Sequence, residues 1–139
     1  MTIGTFGDDI VFQVSQDKIL TIDKFSRTSK ANYAEHKVVN NPAILEFLGR
    51  ELEVIKFTVL LSRELGISDL LQEAHKFRQK LWDGTAEFFS LNGHLYTENK
   101  MVITDVGEDV KYFDGRGRHI VTELDLTLKE YREIIRNED

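Results

Sequence analysis

The chain contains no cysteine. That absence removes disulfides, thiolate metal sites and cysteine nucleophiles together, and it suits a protein made in a reducing cytosol. Proline occurs once, at Pro42, and no Gly/Ser-rich linker, low-complexity tract or internal repeat divides the 139 residues. A chain of this length builds one core, so residues 1–139 read as a single domain. No stretch approaches the roughly 18 apolar residues of a membrane span. The start, Met1 to Asp8, has neither the basic flank nor the apolar run of a signal peptide. Positive charge is also scarce, with 18 Lys and Arg against 24 Asp and Glu and a formal net charge of −6. Specific binding to nucleic-acid phosphates needs a basic face and is not expected.

What is present is an ordinary globular mixture, 41% hydrophobic and 30% charged, which argues against disorder. Ile10, Phe12 and Val14 alternate with more polar positions, the period of a half-buried strand. Lys18 to Ile22 reads as a second strand and Ala31 to Val39 as a third, ended by turn chemistry at Asn40-Asn41-Pro42. Ile44 to Leu48 and Val54 to Leu61 read as a pair joined across Gly49-Arg50-Glu51. In the latter, Ile55, Phe57, Val59 and Leu61 share a face opposite Lys56 and Thr58.

After Gly66 the period becomes helical. Ile67, Leu70, Leu71, Ala74, Phe77 and Leu81 form one apolar stripe on a helix over about 68–82. Ser68 is placed to cap it, Asp69 falls in its first turn, Lys76, Arg78 and Lys80 crowd its end, and Gly84 offers a stop. Glu87 to Leu91 leads to a turn at Asn92-Gly93, a strong hairpin signal, although His94 to Lys100 makes a poor return strand. Met101 to Val106, Val110 to Phe113 and His119 to Leu128 are further strands, the last two joined by a reversal at Asp114-Gly115-Arg116-Gly117. Lys129 to Asp139 is highly charged and reads as a short helix or frayed tail. The whole is mostly β, a sandwich or open barrel of roughly seven or eight strands with one flanking amphipathic helix.

No motif carries chemistry. His36, His75, His94 and His119 stand at no metal-pair spacing. No paired carboxylates, nucleophile elbow, phosphate loop or dinucleotide fingerprint occurs. Asp8-Asp9 reads as a solvated turn in preference to a cation site. Trp82, Phe88 and Phe89 read as core. Gly115-Arg116-Gly117-Arg118 reads as a hairpin tip with two exposed arginines, able to pair with a neighbouring subunit. Catalytic, cofactor and metal residues are therefore all expected to be none.

Several strings in order resemble the phage tail protein U family. They are Ile3 to Phe12, carrying Gly4-Thr5-Phe6-Gly7 where the family characteristically opens with a short Gly-Phe-Gly run, Glu35-His36-Lys37-Val38, Pro42 to Gly49, then Leu52, Ile55 and Phe57. The run Phe113 to Arg118 and the run Asp125 to Tyr131 close the series. The resemblance implies a tail-tube-like β-sandwich or open barrel and a structural, non-enzymatic part of a contractile tail or tailocin. Its place would be the distal junction of tube, hub and baseplate. The partners it implies are further copies in a ring, expected to be a hexamer, together with tail tube, central hub or spike and baseplate proteins. The implied location is the virion or tail-like particle. Longer relatives add a LysM module, and none is expected here. Asp114, Arg116 and Arg118 are the expected assembly contacts. Two alternatives stand beside this: a tail terminator at the head-proximal end, and a small-molecule carrier with Phe88, Phe89 and Trp82 inside a barrel pocket.

Overall fold

A computed structural model describes residues 2–14, 19–67 and 69–132. The chain opens with β1 (Thr2–Phe6), β2 (Ile10–Val14), β3 (Ile19–Leu20) and β4 (Ile22–Thr28). Then come β5 (Ala31–Val38), β6 (Asn41–Arg50), β7 (Val54–Ser62) and the helix α1 (Leu70–Asp83). The last strands are β8 (Phe89–Leu91), β9 (His94–Leu95), β10 (Met101–Phe113) and β11 (His119–Glu130). They form three sheets: a four-stranded β10-β11-β7-β4, a five-stranded β3-β2-β1-β8-β9, and a two-stranded β5-β6. Among the described residues the fold is mostly β with one helix, as the periodicities imply. None of the sheets closes into a barrel.

The four-stranded sheet has one covered face. Leu124, Leu126 and Leu128 of β11 stand opposite Val59, Phe57 and Ile55 of β7, and all six are buried. Directly opposed residues share a face, so the register welds the two apolar sets into one floor. On the outer face Thr58 donates to Asp125 at 2.8 Å. The second sheet and α1 cover the floor together, because the Phe12 ring of β2 meets Phe57 edge-on at 5.8 Å and Phe77 of α1 at 6.4 Å. Phe89 of β8 and Phe25 of β4 extend the same ring cluster.

The helix begins at Leu70, and its cap is one residue later than the expected Ser68, which lies outside the described residues. Asp69 is the N-cap and not a first-turn residue. Its carboxylate accepts from the Gln72 N–H at 3.2 Å, satisfying a donor the helix leaves free. Gly84 ends α1 in the left-handed region at φ 64, which a side chain would resist. Leu70, Ala74 and Phe77 are buried and Leu81 packs beside them. Leu71 is not: it is 55% exposed. The buried stripe is narrower than the apolar pattern, and Lys80 takes the extra place. Its Nζ reaches Glu87 at 3.2 Å and Asp9 at 3.4 Å. The apolar stem packs while the charge finds two carboxylates.

Other expectations change with the structure. Of the strand expected over Lys18 to Ile22, Lys18 lies outside the described residues and the rest is divided, with β3 and β4 separated at Thr21. Residues 101 to 113 form one long strand, and Lys129 and Glu130 finish β11 instead of starting a helix; residues 133–139 lie outside the described set. The reversal after β5 falls at Val39-Asn40, with Asn40 at φ 63, so Asn41 and Pro42 already belong to β6. The β8–β9 hairpin does turn at Asn92-Gly93, and its return strand is only His94–Leu95. The largest difference is in pairing. β6 does not pair with β7; it returns along β5, and β7 sits between β11 and β4.

Candidate assembly surface

The β5–β6 ribbon is an arm. Neither strand belongs to the other two sheets, and neither packs substantially on another element. Ten extended residues reach about 33 Å. A body of this chain length has a radius of gyration of only about 14 Å. The arm is nevertheless apolar. Tyr33, Val38, Val39, Ile44, Leu45, Phe47 and Leu48 are all exposed, Val39 at the turn by 85%.

The register sorts these side chains. Tyr33 stands opposite Phe47 and Glu35 opposite Leu45 on one face; the two rings touch at 5.4 Å. On the other face Ala34 opposes Glu46 and His36 opposes Ile44, with Leu48 following. There His36 Nε2 meets Glu46 at 2.7 Å. Exposed apolar area of this extent marks an interaction surface in a soluble protein.

The root of the arm is clamped by charge. Arg50, the last residue of β6, donates to both carboxylate oxygens of Glu130 at 2.7 and 3.1 Å. Glu130, at the end of β11, is buried; it also accepts from Asn99 Nδ2 at 2.7 Å and the Glu53 N–H at 3.4 Å. The Arg50 fork, with Asn99 and the Glu53 N–H behind it, holds the Glu130 carboxyl down to about 2. The Glu51 N–H donating to Lys30 O at 2.9 Å closes the root.

The residues expected to make assembly contacts lie at the β10–β11 reversal. Asp114 and Arg118 come together, but with each other. Asp114 accepts from the Arg118 N–H at 2.9 Å, the Arg116 N–H at 2.8 Å and Arg118 Nε at 2.6 Å. The Arg118 N–H leads these donors in holding the Asp114 carboxyl at about 2. Asp114 therefore knits the turn, and Arg118 is partly engaged within its own hairpin. The Arg116 guanidinium has no partner among the described residues.

Beside this tip a cleft of about 420 Å³ opens between the start of α1 and the hairpin, lined by Arg63, Asp69, Leu70, Leu71, Arg118 and His119. Leu71 continues into an outward stripe with His75 and Trp82, whose rings meet at 5.7 Å. Trp82 is 62% exposed and Phe88 is 40% exposed, while Phe89 is buried. Only Phe89 is core, so the three rings do not enclose a common pocket. Asp8 and Asp9 lie in the β1–β2 turn, where Asp9 serves Lys80. Among the described residues no three His, Asp or Glu side chains are placed to hold a metal, and no helix is long and apolar enough to cross a membrane.

The arm was hidden from sequence reasoning by its own composition. Ala43 to Leu48 is apolar at both parities apart from Glu46, which reads as a strand buried on both faces. The polar partner strand, Ala31 to Val38, was the available signal. A sequence profile described as Phage P2 GpU matches residues 8–133. No curated protein matches the chain.

Proposed function

The chain belongs to the Phage P2 GpU family, a phage tail protein U family with a structural role in the tail, and on that premise we propose that it is a ring-forming subunit at the distal end of a contractile tail. There tube, central hub and baseplate meet. About six copies close the ring, and the particle is a phage or a tailocin. The observation that carries this reading is the β5–β6 arm. A mostly apolar ribbon that is tied to its own domain only at its root leaves its apolar faces bare until another surface covers them. Covering both strand edges also prevents open-ended pairing.

The work is done by surface complementarity, and no reaction step is assigned to any residue. The tail proteins are the partners; the acidic surface keeps passing nucleic acid from being retained.

Image reconstruction of purified tails, with this chain carrying a small tag, tests the position. Tag density in a ring at the tube–baseplate junction is the expected result. Density at the head-proximal end would make the chain a terminator, and absence from intact tails would overturn the structural reading.

A further inference from the structure

We propose that the arm of one copy seats in the cleft between α1 and the β10–β11 tip of a second copy, with Glu35 facing Arg116 across the joint. This rests on reading the arm as an assembly surface and adds its partner and its site.

Three observations meet here. The first is that one molecule carries two uncovered apolar surfaces in different places. One is the Tyr33, Leu45 and Phe47 face of the arm; the other is the Leu71, His75 and Trp82 stripe that leads into the cleft.

The second is charge. Glu35 lies on the apolar face of the arm, directly opposite Leu45, and has no partner among the described residues. Arg116 likewise has no side-chain partner among the described residues, and it directly precedes Gly117 and Arg118, which line the cleft together with Arg63 and Asp69. A carboxylate amid apolar residues and a guanidinium near Leu70 and Leu71 are matched in sign and setting, and arginine is the cation shaped to receive a carboxylate.

The third is symmetry. Arm and cleft are different surfaces, so their contact is head-to-tail, the kind that closes into rings. An arm of about 33 Å spans enough of a neighbour to reach a cleft on its body. Arm-against-arm pairing would instead place two Glu35 carboxylates on facing apolar surfaces and would stop at a dimer.

Sedimentation of the purified full-length chain tests this. Glu35→Arg and Arg116→Glu should each weaken self-association about tenfold or more, because like charges then meet, and the double variant should restore it. Both positions are exposed, and circular dichroism confirms that each variant is folded. Failure of the double variant to recover, with both singles folded and impaired, would overturn the pairing.

A second experiment does not depend on the ion pair. Phe47→Asp disables the arm and leaves the cleft; Leu71→Asp disables the cleft and leaves the arm. Each alone should be monomeric, and the equimolar mixture should form a dimer and grow no further. Normal assembly of the Leu71→Asp protein would overturn the cleft as the seat. A wild-type chain that stays monomeric at high concentration would remove the second copy as occupant. Loss of tail incorporation by Phe47→Asp would then still support the arm as a surface for a different tail protein.

Discussion

Arg50→Ala should cost about 2–3 kcal/mol and should do so only while Glu130 is ionised. A hydrogen bond to a charged group contributes about 1.5–3 kcal/mol, and Arg50 makes two to one carboxylate. Stranding a fully buried charge costs about 3–5 kcal/mol, whereas an exposed pair is worth about 0–1 kcal/mol. This pair lies between: the Glu130 side chain is 5% exposed and that of Arg50 is 43% exposed. After the substitution Asn99 and the Glu53 N–H still serve Glu130, which keeps the loss below the buried limit.

The pH dependence follows from the depressed carboxyl. Glu130 would ordinarily protonate near 4.5 and in the fold does so at about 2. Its contribution is complete above 4.5 and is lost as pH falls toward 2. The gap between wild type and variant should narrow over that interval. Urea unfolding of both proteins at neutral pH and in acid reads the difference. Adding Glu130→Gln isolates the pair, with a coupling of about 1–2 kcal/mol expected. A loss below about 0.5 kcal/mol at neutral pH, or one unchanged near pH 2, would refute the clamp.

Phe77→Ala should destabilise by about 3–5 kcal/mol, since its ring is buried against Phe12, whereas Leu71→Ala should cost less than about 0.5 kcal/mol because the side chain faces out; denaturant midpoints distinguish them. Gly4→Ala should lower stability by about 1–3 kcal/mol, because a Cβ there would stand 2.4 Å from the backbone oxygen of Ser90 on β8. Gly115→Ala, which meets nothing within 4 Å, is its thermal-melting control.

The expected hairpin of Asp114 to Arg118 exists, and its carboxylate turns out to organise the turn, leaving the Arg116 guanidinium without a partner among the described residues. The strand face of Ile55, Phe57, Val59 and Leu61 and the helix stop at Gly84 were legible for one reason. Both depend on local geometry: the two-residue period of a strand and the φ only glycine adopts freely. The family resemblance was legible too, because it is a property of residue order.

What covers a given face is a different matter. Leu71 fits the apolar helix stripe and Trp82 reads as core, yet both look outward, while Lys80 is buried because Asp9 of the β1–β2 turn and Glu87, in the segment between α1 and β8, come to meet it. Ile44 to Leu48 would suit a central strand, but β7 is already held between β4 and β11. Sequence by itself determined which residues share a face, because neighbours along the chain set that through backbone geometry. Only the tertiary structure decided which faces are covered and left β6 on an arm, because covering a face depends on partners distant in the chain.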